Sequence, residues 1–269
     1  MHCTLLWKKL RARMVYLVNR SNRRLFYELV RAEFKMADSN STWGVMWSLL
    51  GPLATLAVML AIFKTFSPGV REYPLYLLLG ISCVNFFLIT TTYTVKIFYL
   101  NREIVLNSTI PREILIISKI SIFVYKFLIE LTLCLLLGIY FGVFSSKLFF
   151  LFIPLLMGFI AFSFGIGLVL ALIYCFVIDI EHIWMLASRL YYFVTPVFYT
   201  LNDISPNVAK LIYWGNPLSS FLIAFRSIFM STQKFSVFDY WYSIGLGFIC
   251  MIAGYCIFLS IENIAVERV

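Results

Sequence analysis

The sequence predicts an all-α integral membrane protein: six transmembrane helices, an N-terminal amphipathic interface helix, and re-entrant outer helices between spans five and six. Composition is the first ground. Of 269 residues, 62% are hydrophobic and 13% charged, with a mean hydropathy of +0.91, whereas an ordinary soluble domain is about half apolar and about a quarter charged. Length is the second ground. A helical span needs roughly 20 predominantly apolar residues, and six windows approach or meet this: Thr42 to Phe63, Tyr73 to Val95, Ile120 to Phe144, Leu148 to Ile178, Ile183 to Thr200 and Trp241 to Ile261. The third ground is a set of segments that are helical in pattern yet are not simple spans. Residues 1–41 form a cytoplasmic N-terminal region and 42–269 the transmembrane domain, which leaves no room for a sizeable soluble domain.

The N-terminal region carries Lys8, Lys9, Arg11, Arg13, Arg20, Arg23, Arg24, Arg31 and Lys35, and the connection after the second span adds Lys96, Arg102 and Arg112. Short loops rich in Lys and Arg stay on the cytoplasmic side, so both termini are expected there. No compact apolar stretch precedes a small-residue cleavage site, so no removable signal peptide is expected. The net charge of +9 is explained by this topology and by attraction to anionic lipid rather than by nucleic acid. From Arg24 to Asp38, helical spacing gathers Leu25, Phe26, Leu29, Val30, Phe34, Met36 and Ala37 on one side. Arg24, Tyr27, Glu28, Arg31, Lys35 and Asp38 fall on the other. That is the pattern of a helix lying along a membrane surface. Glu33 is the misfit, an acid among the apolar residues. Ser39, Asn40 and Ser41 supply turn and capping chemistry before the first span.

The connection at 99–115 is longer than a link between two spans requires. It keeps Ile104, Val105, Leu106 and Ile110 among its charges, as a short docking helix would, and Pro111 suits the first turn of the next helix. In the third span Lys119, Lys126 and Glu130 agree in angle to within about 40°, a polar stripe in an apolar helix. Ionisable groups at such depth face a bundle interior or an aqueous path. A structural Lys126–Glu130 pair and a transport role both fit, and Arg189 in the fifth span poses the same choice. Asp179 to His182 read as a tight cytoplasmic turn. Between the last two spans, residues 211 to 225 are uncharged but too few to cross, and they contain Gly215, Asn216 and Pro217. Asn216 as a cap with Pro217 in first position starts a helix. Two short helices in the outer leaflet fit residues 201–230, and irregular backbone at that depth must be covered by protein or line a cavity. An outer gate would be built there.

Several chemistries are excluded. No glycine is followed by lysine, so the chain has no phosphate-binding P-loop and uses no ATP alone. The two histidines, His2 and His182, sit in no zinc-binding pattern. The six cysteines show no metal-type pairing and read as small apolar residues.

Around the first span stand Glu33, Phe34, Lys35, Ser41, Gly44, Trp47 and Pro52. "IPREIL" occupies Ile110 to Leu115, and Asn216, Pro217 and Leu218 precede Arg226. These motifs, in this order and register with the spans, resemble the permease subunits of type-2 ABC exporters for bacterial surface polysaccharides of the O-antigen, capsule and teichoic acid type. The sequence departs from the family pattern at Ala37 and Asp38, where a basic–aromatic pair is usual, and at Ile178, where an arginine is usual. The resemblance implies a homodimeric channel in the bacterial inner membrane, bound to two copies of a separate ATPase that holds ATP and magnesium, with no cofactor on this chain. It implies a lipid-linked polysaccharide as cargo, as in lipopolysaccharide biosynthesis. ATPase-coupling roles are expected of Glu33, Lys35, Arg102, Glu103, Asn107, Pro111, Arg112 and Glu113. A substrate path is expected along Lys119, Lys126, Glu130, Arg189, Tyr191, Tyr192, Phe198 and Tyr199, whose aromatic rings can pack on sugar rings, and a gate at Asn216, Pro217 and Arg226. A permease for a small hydrophobic drug or lipid would share this architecture. An integral-membrane transferase would need a catalytic role for Asp179, Glu181 and His182.

Overall fold

Apolar runs separated by proline, glycine and clustered charge produce a bundle of helices, although Pro52 and several glycines lie within helices rather than at their ends. The computed structural model describes residues 20–38, 46–63, 72–107, 111–144 and 148–268. Among them every regular element is helical: α1 (Arg20–Asp38), α2 (Met46–Phe63), α3 (Tyr73–Val95), α4 (Ile97–Leu100), α5 (Arg102–Asn107), α6 (Glu113–Phe141), α7 (Phe152–Phe176), α8 (Ile180–Val194), α9 (Pro206–Gly215), α10 (Pro217–Phe229) and α11 (Val237–Val266). Among the described residues four segments are long and apolar enough to cross a bilayer: Tyr73–Val95, Glu113–Phe141, Phe149–Phe176 and Val237–Ala265. They make this a multi-pass membrane protein. The first expected span overlaps the 18-residue α2, whereas the fifth, expected at 183–200, overlaps α8, which starts three residues earlier and stops after 15 residues at Val194, because the backbone turns extended at Thr195. The expected turn at 39–42 lies outside the described residues.

Helix α6 begins seven residues earlier than the apolar window at Ile120, because its polar first turns find partners: Glu113 and Ser118 are buried. Its far end is a left-handed cap. Gly142, at φ 72°, lets Val143 N–H and Phe144 N–H turn back to the Gly138 carbonyl at 3.0 and 3.2 Å, the closure that glycine permits without a Cβ penalty.

The most extensive helix pair is α7 with α11, and the reason is a ladder of glycines. Gly158 and Gly165 on α7 face Gly247 and Gly254 on α11. A Cβ at Gly247 would lie 2.1 Å from the Gly158 carbonyl oxygen, and one at Gly254 would lie 2.5 Å from that of Gly165. Inside a bilayer no hydrophobic force drives helices together, so close backbone packing through small residues carries the association. The rest of the core is aromatic. Phe86 stacks on Phe127 at 4.7 Å, Phe87 on Phe162 at 5.1 Å, and Phe159 packs against Phe221 at 5.0 Å, which ties α3, α6, α7 and α10 into one cluster. Much of the aromatic content of the chain is therefore structural filling.

Adding one methyl group at Gly247 is expected to force α7 and α11 apart. Gly247→Ala should lower the thermal midpoint of the detergent-solubilised protein, by the equivalent of about 1–3 kcal/mol for an overpacked contact. Gly245→Ala on the same helix meets nothing within 4 Å and should leave the midpoint unchanged.

Candidate functional site

The chemistry-bearing residues fall at three levels of the bundle. The first is the end where α1 crosses α6. Along α1, Leu25, Phe26, Leu29, Val30 and Phe34 are half-buried while Arg24, Tyr27, Glu28, Arg31 and Lys35 are exposed, as the amphipathic pattern predicts. Phe34 packs edge-on against Tyr125 at 5.1 Å. The misplaced Glu33 is explained by its partner: Glu33 Oε2 accepts from Lys119 Nζ at 2.6 Å. An acid on the apolar side of α1 thus holds a lysine on α6, and neither charge is left alone at the bilayer edge.

At the same level α5 presents Arg102, Glu103 and Asn107 to the outside while burying Val105. The neighbouring Pro111 is buried, and the two residues after it turn inward. Arg112 Nη1 donates to Glu262 Oε1 at 2.5 Å, and Glu113, 1% exposed, accepts from Tyr255 Oη at 2.9 Å. Both partners lie on α11. A further link joins Lys96 Nζ to Glu181 Oε1 at 2.6 Å, beside Trp184 Nε1, which donates to Thr91 Oγ1 at 3.1 Å. Together they hold the start of α8 against the end of α3. The hydrogen bond that Lys96 donates to the Glu181 carboxylate raises the Lys96 ammonium pKa above its ordinary value. Asp179 and His182 are exposed, and among the described residues no group of three or more histidines, cysteines or acids could hold a metal ion.

The second level is a cavity of about 440 Å³ between α2, α3 and α6. Lys126 and Glu130 line it from α6, Asn85 and Tyr93 from α3, and Thr55 from α2. Lys126 and Glu130 make no ion pair within 4 Å, although one helical turn separates them. Glu130 Oε2 is buried beside the Ser82 hydroxyl, and neither atom closes a hydrogen bond of ordinary geometry. The polar stripe on α6 is therefore divided: Lys119 is engaged by α1, whereas Lys126 and Glu130 face a cavity.

The third level is the opposite end. Arg226 on α10 is 3% exposed. Its guanidinium donates to the carbonyls of Pro196 at 2.7 Å, Val197 at 2.9 Å and Tyr76 at 3.1 Å, and it lies over the Tyr76 ring at 3.3 Å. Room for it is made by Gly80, where a Cβ would stand 2.8 Å from Nη2. A planar fork of N–H donors suits this cage of carbonyls, which lysine could not match. Asn216 caps α10 by accepting from Leu218 N–H at 3.1 Å, with Pro217 in the first turn, and its amide donates to Thr195 Oγ1 at 2.9 Å. The aromatic candidates pack within the chain. Tyr192 meets Phe198 at 5.7 Å, Tyr191 meets Phe87 at 6.1 Å, and Tyr73 and Tyr76 donate to the carbonyls of Phe198 and Tyr199 at 3.2 and 2.9 Å. Arg189 is exposed on α8.

Sequence reasoning missed the partners: Glu262, Tyr255, Asn85, Thr55, Tyr76 and the carbonyls at 196–197. Only Gly80, a glycine in an otherwise bulky span, left a trace of the arginine it accommodates.

Comparison with known proteins places residues 24–230 within a family described as ABC-2 type transporter. The chain is 26% identical over 243 residues to an O-antigen export system permease protein RfbA of Klebsiella pneumoniae, covering 88% of this chain and 92% of that protein. It is 24% identical over 209 residues to an RfbA of the same description from Myxococcus xanthus, covering 77% and 80%.

Arg226→Lys should unfold at markedly lower temperature, since stranding buried carbonyls costs about 1–3 kcal/mol each. Arg189→Gln, at an exposed site, should not change the thermal midpoint. The half-exposed Lys96–Glu181 pair contributes modestly. Because its lysine pKa is raised, that contribution is complete below about pH 10.4, the ordinary lysine value, and is lost as pH rises beyond it. Thermal midpoints of the parent and Glu181→Gln should therefore differ slightly at neutral pH and converge in strong alkali.

Proposed function

This chain belongs to the ABC-2 type transporter family, and from that premise we propose that it is the membrane channel subunit of an ATP-driven exporter of lipid-linked polysaccharide of the O-antigen type. One observation carries the substrate assignment: over nearly its whole length the chain is similar to proteins named O-antigen export permeases. The long apolar helices supply a transport scaffold.

The chain works as a homodimer in the bacterial inner membrane, with α2, α3, α6, α7, α8 and α11 as its six spans and both termini in the cytoplasm. The exposed apolar side chains of α8, Ile183, Leu186, Leu190 and Phe193, support a channel-facing or partner-facing role for that helix, with Arg189 among them. ATP and magnesium belong to two separate ATPase subunits, because this sequence has no P-loop. Those subunits dock where α1 exposes Lys35 and α5 exposes Arg102, Glu103 and Asn107. Arg112 and Glu113 act behind that surface, passing force to α11 through Glu262 and Tyr255, while Glu33 passes it to α6 through Lys119. At the outer end α9 and α10 re-enter the membrane as a gate. Since Arg226 fastens α10 to α3, the moving part is the more exposed α9, which hinges at Asn216.

Docking is tested by placing single cysteines at Glu103 and Asn107 in a cysteine-depleted background and cross-linking to a co-expressed ABC ATPase subunit that supports export by this chain. At least one should join it. If neither does while both react with a soluble thiol reagent, the docking surface lies elsewhere. Export is tested in a strain lacking its own O-antigen permease. Surface polymer should return only when this chain and an ATPase with an intact P-loop lysine are both present.

A further inference from the structure

The charges of the cavity between α2, α3 and α6 are arranged in a way that pairing does not explain. Lys126 and Glu130 stand four residues apart on one helix, a spacing at which opposite charges usually meet. Here they do not; both line the same cavity instead. Lysine preceding glutamate is the poorer order for an intrahelical pair, which leaves each free to face a ligand. A cavity with one cation and one anion disfavours a ligand of single charge, because an anion would meet Glu130 and a cation would meet Lys126, each at the cost of an unpaired charge in a medium of low dielectric. The group that satisfies both is a zwitterion whose charges lie about one helical turn apart, roughly 6 Å along the axis. Asn85, with donors and an acceptor, can bond either end, and the Tyr93 ring can meet an ammonium on its face.

Position selects the source of that zwitterion. Lys119 marks the level of α1, and Lys126 lies seven residues, roughly 10 Å, further along α6. The rim residues Ile89 and Tyr93 are 43% and 53% exposed, so the cavity is open at its side rather than sealed. Its remaining wall is apolar, with Phe86, Phe123 and Phe127. A polar pocket with an apolar wall, open laterally within the span region, is suited to a lipid whose chains stay in the bilayer. We propose that it binds the headgroup of a zwitterionic aminophospholipid such as phosphatidylethanolamine. Lys126 holds the phosphate, and Glu130 accepts hydrogen bonds from the primary ammonium. A quaternary ammonium has no N–H to offer Glu130, so phosphatidylcholine is a poorer ligand despite its equal charge.

The full chain, purified in detergent and stripped of lipid, is titrated with phosphatidylethanolamine, phosphatidylglycerol and phosphatidylcholine, and the bound lipid is counted by native mass spectrometry. Phosphatidylethanolamine should be retained about tenfold more tightly than either of the others, a difference of the size expected for one charge-assisted contact. Lys126→Met and Glu130→Gln should each abolish that preference. Glu130→Gln should in addition favour phosphatidylglycerol, a change of selectivity that mere loosening of the fold would not produce. Equal retention of the three lipids by the parent protein, a parental preference for phosphatidylglycerol, or an unchanged preference in both folded variants overturns the proposal. The comparison of lipids on the parent protein decides the matter alone where the variants do not fold. Water-soluble phosphoethanolamine should fail to displace the bound lipid at equal concentration; equal competition would assign the site to a soluble zwitterion and overturn the lipid assignment.

Discussion

One end of this bundle depends on one buried guanidinium. Helix α10 is too short to cross a membrane and joins the bundle through apolar packing, which by itself does not choose a register. Arg226 chooses it by collecting carbonyls from α3 and from the bend at 196–197, each of which would otherwise point into an apolar interior. The cost of leaving buried carbonyls unsatisfied, rather than the attraction of any single bond, makes the arrangement decisive. Gly80 on α3 exists in the same context, since any side chain there would occupy the guanidinium's place.

The other end is organised by charge in a different way. Glu33 with Lys119, Arg112 with Glu262, Glu113 with Tyr255 and Lys96 with Glu181 form a belt of polar links beside the apolar clusters that join the same elements. Links of this kind contribute little net stability when partly exposed, yet they fix which helices stand side by side at this end. Glu33–Lys119 joins α1 to α6, and Arg112–Glu262 with Glu113–Tyr255 joins the connection after α5 to α11. Between the two ends, the glycine ladder and the phenylalanine cluster form a stiff frame.

The sequence was most legible where a single helix decides the outcome. The amphipathic helix, the short helix at 102–107, the start of α10 at Asn216–Pro217 and the long apolar helices all follow from local periodicity, capping chemistry and length. Legibility failed at contacts between helices. Glu33 looked misplaced because its reason, Lys119, lies 86 residues away. Lys119, Lys126 and Glu130 looked like one stripe, but α1 covers only the first. The tyrosines and phenylalanines that suggested a sugar path proved in large part to be packing or hydrogen-bonding residues of the chain itself.

What the sequence by itself determined was the membrane class, the positions of most helices and the lack of a P-loop motif, because these depend on composition and on patterns within a few neighbouring residues. Only the tertiary structure decided which charges are paired, which face a cavity, and that Arg226 is enclosed by backbone. In a bilayer interior nearly every side chain is apolar, so helix faces look alike in sequence. The choice among them is made by close contacts of backbone at glycines and by the satisfaction of a few polar groups, and neither is visible until the helices are set against one another.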